Sequence, residues 1–125
     1  SEARRKTKSK YIKDNLGFNI AENSNGESAL KFFVDTIKSY GLYLLDEPEN
    51  SLSAERQIDL SRWIASMARY EKCQFIISTH SPFLMATPGA RLYNLDVYPA
   101  TTMKWTDVAS VQTYYHFFKE HEDEF

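Results

Sequence analysis

Two short, uninterrupted apolar runs constrain this chain more than any other feature. Leu42-Tyr43-Leu44-Leu45 runs into Asp46-Glu47-Pro48-Glu49, and Phe75-Ile76-Ile77, within residues 73–80, runs into Ser78-Thr79-His80. Runs this short, the first bounded by Gly41 and Pro48, read as strands buried on both faces of a parallel sheet. Between them, residues 54–70 carry Ile58, Leu60, Ile64 and Met67 among charged residues, with Ser51 or Ser53 placed to cap a helix there. Residues 28–40 place Leu30, Phe33, Val34 and Ile37 at helical spacing, and Gly41 follows as a helix stop. A short helix is predicted after Ser81, with Pro82 in its first turn, then a third strand over 91–98 and a closing helix over 106–121. "GFNI" at 17–20 reads as a further short strand. The alternation is that of an α/β fold, a parallel sheet with helices packed on it.

In such sheets function gathers at the carboxyl ends of the strands. Two predicted strands end in reactive residues, Asp46-Glu47 and Thr79-His80, and the two ends can lie side by side. One carboxylate can hold Mg²⁺ directly or through water, and the second can orient and deprotonate an attacking water. His80 can donate to a phosphoryl oxygen. Upstream, Ser24-Asn25-Gly26-Glu27-Ser28 opens a predicted helix. Free backbone N–H groups there, the helix dipole, the Ser24 hydroxyl and the bare backbone of Gly26 make an anion site. The same residues also read as a capped helix start, with Ser24 or Asn25 as the cap, and the two readings are compatible.

Composition narrows the class. With 125 residues, 42% hydrophobic and 26% charged, the chain has the makings of one soluble domain, and its net charge of -2 gives no overall field that demands nucleic acid or membrane. Its one cysteine, Cys73, has no internal disulfide partner, which fits a reducing, cytoplasmic setting. No apolar run approaches the ~18 residues of a membrane span. The charge is uneven: Arg4, Arg5, Lys6, Lys8, Lys10 and Lys13 crowd residues 1–13, and the C-terminus is acidic. That basic arm reads either as a solvated segment or as a contact for nucleic-acid phosphates.

Taken in order, these motifs resemble the C-terminal half of an ATP-binding-cassette-type ATPase domain. "SNGES" is similar to that family's signature loop, "LYLLDEPEN" to its Walker B strand, "SLSAE" to its D-loop and "STHS" to its switch-histidine strand, over about residues 20–96. The resemblance implies a three-layer P-loop NTPase-type parallel sheet with flanking helices, binding ATP and Mg²⁺ in a head-to-tail nucleotide-sandwich dimer. It implies Asp46 as the Mg²⁺-positioning aspartate, acting through water, with Glu47 as the catalytic glutamate and His80 as the switch histidine. Ser24, Asn25, Gly26 and Glu27 would close over the γ-phosphate held by the opposite protomer, and Ser51, Leu52 and Ser53 would cross the dimer interface. Asn25, Glu27 and the Ser81-Pro82 that follows His80 look more like the soluble RecF- and SMC-like branch than like a transporter subunit.

Gly-x-x-x-x-Gly-Lys-[Ser/Thr] does not occur: the glycines are 17, 26, 41 and 89, and none precedes Lys-Ser or Lys-Thr. That loop cradles the α- and β-phosphates. The fold is therefore expected to be incomplete, with the N-terminal P-loop half absent, and the chain alone is expected to bind ATP poorly, not to hydrolyse it, and to be marginal or self-associating. Within it the expected organisation is a basic segment over 1–22, a core with all four motifs over 23–98, and a C-terminal helix over 99–125. Competing readings are a metal-dependent nuclease or phosphodiesterase built on Asp46, Glu47 and Glu49, a nucleic-acid or protein interaction module, and, within the class, a transporter ATP-binding subunit. Glu49 is otherwise expected at the surface, Trp63 in the core or an interface, and Cys73 as a small buried hydrophobe. Tyr114, Tyr115, Phe117 and Phe118 are expected to pack, and His116 and His121 are not expected to bind metal.

Overall fold

The structure, a computed structural model, describes residues 25–125, with side chains described from Leu30 onward. The basic arm, the predicted strand at 17–20 and Ser24 lie outside the described residues. Two compact units divide the chain between Gly89 and Ala90. The first contains α1 (Asn25–Thr36), β1 (Leu42–Asp46), α2 (Ala54–Tyr70), β2 (Gln74–Ser78) and α3 (Pro82–Met85). The second contains β3 (Leu92–Asn94), β4 (Thr101–Met103) and α4 (Ala109–Glu120), with single 3-10 turns on either side of α4.

In the first unit, β1 and β2 pair in parallel, from Leu42 opposite Gln74 to Asp46 opposite Ser78. Alternation sends Tyr43, Leu45, Phe75 and Ile77 to one face, where they pack on a buried cluster. That cluster draws Leu30, Val34 and Ile37 from the first helical segment, Leu60, Trp63, Ile64 and Met67 from α2, Leu84 from α3, and Leu52 and Cys73 from the loops. Phe75 ties the layers together, stacked on Tyr43 at 5.7 Å and edge-on to Trp63 at 6.5 Å. This is a mixed α/β fold, a small parallel sheet flanked by helices, consistent with a partial P-loop NTPase-like fold. The opposite face holds Leu42, Leu44 and Ile76, and Leu44 is 72% exposed. The strands are apolar on both faces, as their sequence implies, but the described helices of this unit cover one face only.

Helix boundaries follow caps where caps exist. Ser53 accepts from the Arg56 N–H at 3.2 Å and starts α2, and Ser81 accepts from the Leu84 N–H at 3.3 Å and starts α3. The first helix departs from expectation. It begins at Asn25, inside "SNGES", and ends at Thr36, before Gly41. Tertiary partners take the backbone of Lys38 out of the helical path: the Tyr43 hydroxyl accepts from its N–H at 2.8 Å and donates to its carbonyl at 2.9 Å. Tyr40, at φ 63, turns the chain instead of Gly41. Gly41 is needed for a different reason, because a Cβ there would overlap the Tyr43 ring.

The third predicted strand is also corrected. β3 pairs antiparallel with β4, which the sequence reading missed, and lies in the second unit. Its end explains why: the Asn94 carboxamide oxygen accepts from the Asp96 N–H at 2.9 Å, a local turn that starts the chain's reversal. On α4 the aromatic residues expected to pack are about half exposed, Tyr114, Tyr115, Phe117 and Phe118 alike, while Val111 is buried. Among the described residues no helix is long and apolar enough to cross a membrane.

Candidate active site

Parallel pairing with Asp46 opposite Ser78 brings the carboxyl ends of β1 and β2 together, and the Glu47 N–H extends the ladder to the Ser78 carbonyl at 2.8 Å. Asp46 is exposed and one of its oxygens accepts from the Ser78 hydroxyl. Glu47 adopts φ 45, a left-handed conformation uncommon for a residue with a Cβ and one that concentrates at functional sites. The turn swings its carboxylate across the strand gap, where Oε1 lies 3.2 Å from His80 Nε2. The contact holds whether the ring is a neutral N–H donor or protonated. Both side chains remain open to solvent, His80 at 87% and Glu47 at 41%.

Beyond Glu47 the chain makes a tight loop. The Asn50 N–H donates to the Glu47 carbonyl at 3.1 Å and the Leu52 N–H to that of Glu49 at 2.9 Å, while Ser51 adopts φ 70. Of the predicted interface residues, Leu52 is buried in the core cluster and Ser51 and Ser53 are exposed, with Ser53 spent on the α2 cap. Asn25, Gly26 and Glu27 form the first turn of α1, a twelve-residue helix whose leading N–H groups lack intrahelical partners.

Glu49 is the residue that sequence reasoning misplaced. It is half-buried, and its two oxygens accept from the Thr79 hydroxyl at 2.7 Å and the His80 N–H at 2.8 Å. Gln57, also missed, bridges Ser81 and the Leu52 carbonyl. The parallel register explains the role of Glu49: with 46 opposite 78, a carboxylate three residues past β1 reaches the residues just past β2.

The hard oxygens of Asp46 and Glu47 fit Mg²⁺, which keeps several waters and takes one or two carboxylates together with substrate phosphates. Among the described residues no three His, Cys, Asp or Glu side chains gather into an all-protein metal cage.

A family described as "AAA domain, putative AbiEii toxin, Type IV TA system" matches residues 11–86. The chain belongs to this family. The match takes in Asp46, Glu47, Glu49, His80 and the loops that carry them, and stops before the second unit. The first unit is thus a P-loop ATPase-type domain, of a kind that binds nucleotide. No curated protein and no solved structure matches the chain.

Proposed function

We propose that this chain supplies the hydrolytic edge of an ATP-binding-cassette-type ATPase of the soluble RecF- and SMC-like branch, working in the cytoplasm as a nucleotide-sandwich dimer. The observation that carries the reading is the meeting of Glu47 and His80 at 3.2 Å beside Asp46, at the carboxyl ends of neighbouring parallel strands. Asp46, with one oxygen steadied by Ser78, would hold Mg²⁺. When bound, that ion neutralises charge on the β- and γ-phosphates. Glu47 orients the attacking water and takes its proton, and His80 donates to the γ-phosphate. Asn25, Gly26 and Glu27 present helix-start amides to the nucleotide of the opposite protomer with Ser24 beside them as a hydroxyl donor, and the loop of Ser51, Leu52 and Ser53 meets that protomer through its exposed serines.

The nuclease reading needs Glu49 as a third carboxylate, and both Glu49 oxygens are already committed to Thr79 and His80. An interaction module would rest on the basic residues 1–13, which lie outside the described residues.

ATP binding and turnover by the full-length protein test the proposal. Wild type is expected to hydrolyse ATP, and Glu47→Gln to bind it with turnover lower by about 10²- to 10⁴-fold, the usual weight of a general base. Absence of ATP binding in both proteins would overturn the reading.

A further inference from the structure

The hydrogen bonds around Glu49 close into a ring. Its Oε1 accepts from the Thr79 hydroxyl at 2.7 Å, and Thr79 Oγ1 accepts in turn from the Ser81 N–H at 3.0 Å. Ser81 Oγ donates to Gln57 Oε1 at 2.6 Å, and Gln57 Nε2 donates to the Leu52 carbonyl at 3.0 Å. The Leu52 N–H returns to the Glu49 carbonyl at 2.9 Å. The second Glu49 oxygen sits outside the ring and holds the His80 N–H at 2.8 Å. Three segments meet here: the loop after β1, the loop after β2 and the first turns of α2.

We propose that Glu49 is the positioning residue of this site: it clamps the His80 backbone so that the imidazole stays across from Glu47, and through Thr79, Ser81 and Gln57 it locks the two loops into one body. The chemical consequence rests on the ATPase reading above, whereas the clamp itself does not. His80 needs such a clamp because its ring is almost fully exposed and, among the described residues, its one side-chain contact is with Glu47. Fixing the backbone is what remains to fix the ring. The job also selects the residue type. Two donors converge from successive residues, a hydroxyl and an amide, and only an ionised carboxylate offers two acceptors and no donor. Glutamine keeps one acceptor and turns an N–H₂ toward a donor.

The test uses the full-length protein with Glu49→Ala, Glu49→Gln and Thr79→Val, and two readouts. The first is amide hydrogen exchange at His80, with Ile64 in the buried face of α2 as the control. Exchange at His80 is expected to accelerate about 10- to 100-fold in Glu49→Ala, the worth of a hydrogen bond to a charged group, and less in Glu49→Gln, with Ile64 unchanged. The second is ATP turnover. Here kcat is expected to fall about tenfold or more in Glu49→Ala while KM stays within about twofold, with partial rescue in Glu49→Gln, a smaller loss in Thr79→Val, and no further loss when Glu49→Ala is added to His80→Ala.

Unchanged exchange at His80 in both Glu49 variants would overturn the clamp. Faster exchange with unchanged kcat, in a protein whose turnover still depends on Glu47, would overturn its role in positioning. If Glu47→Gln leaves turnover intact, the assignment of these residues as the hydrolytic edge falls instead, and exchange alone decides the clamp.

Discussion

The parallel pair has an entrance and an exit, and each holds a carboxylate that joins two loops. At the entrance Glu71 is 1% exposed; one oxygen accepts from the Ser39 hydroxyl, and Oε1 has no partner among the described residues. At the exit Glu49 is half-buried with both oxygens engaged, and the neighbouring Asp46 and Glu47 stay open to solvent. Both ends also place two non-glycine residues in the left-handed region, Tyr40 and Lys72 at the entrance, Glu47 and Ser51 at the exit. Each such residue costs about 1–3 kcal/mol and persists only where its surroundings over-determine it. Hydrogen bonds to buried residues do so at the entrance, where the exposed Tyr40 reaches the carbonyl of buried Glu71 through its N–H at 2.9 Å and the buried Cys73 thiol reaches the Lys38 carbonyl at 3.0 Å. The exit relies on a part-buried ring of hydrogen bonds. One end buries its carboxylate; the other keeps acidic and imidazole groups where a ligand can meet them.

Four measurements can break or sharpen that contrast. The largest effect belongs to the exit: Glu47→Gln should abolish most turnover while leaving folding free energy within about 0.5 kcal/mol, as expected of an exposed side chain. A large drop in melting temperature would make the exit structural as well. Next comes Gly41→Ala, which forces the Tyr43 ring off its two bonds to Lys38 and its stack on Phe75. The expected cost is about 1–3 kcal/mol in chemical denaturation, less when Tyr43 is already alanine. Ser39→Ala strips Glu71 of its hydroxyl partner and should cost about 1–2 kcal/mol, with ATP turnover per folded molecule unchanged. A change in turnover would show that the two ends communicate.

The smallest effect is a pH slope. Burial pushes the Cys73 thiol above its ordinary value, opposed by hydrogen bonds from the Gly41 and Tyr40 backbone and reinforced by the Glu71 charge. A group whose folded pKa exceeds its unfolded one contributes fully below the unfolded value and loses that contribution as pH rises toward the folded one. Stability should therefore hold near neutrality and fall above the ordinary thiol range of ~8.5, and Cys73→Ala should flatten the fall. An unchanged slope would place its origin elsewhere.

The sequence disclosed the elements that packing and caps determine. α2 spans residues 54–70 as its periodicity and Ser53 predict, and the two apolar runs are the paired strands. The meeting of Asp46, Glu47 and His80 was legible because apolar runs that end in reactive side chains announce where strands terminate. What stayed hidden depends on partners distant in sequence. The early end of α1 is set by Tyr43 and Cys73 acting on Lys38, and the role of Glu49 appears only once 46 is known to face 78. Similarly, residues 91–98 look like any apolar strand, and the Asn94 turn sends β3 to an antiparallel neighbour. The apolar face of Leu42, Leu44 and Ile76 has the composition of an interior, and no composition reveals what covers it.

The spacing of the β1–β2 ladder carries a consequence for how the molecule assembles. Asp46 and Ser78 stand 32 positions apart, and Glu49 and His80 stand 31 apart. The contacts that join the two exit loops therefore cannot form by local zippering. Closing so long a segment precedes any reward from the contacts it permits, which makes parallel pairing intrinsically slow. A preformed α2 shortens the search by stiffening more than half of the connection. Mutations that weaken its Ser53 cap should delay refolding, and the reactive residues would be the last to find one another as the chain emerges.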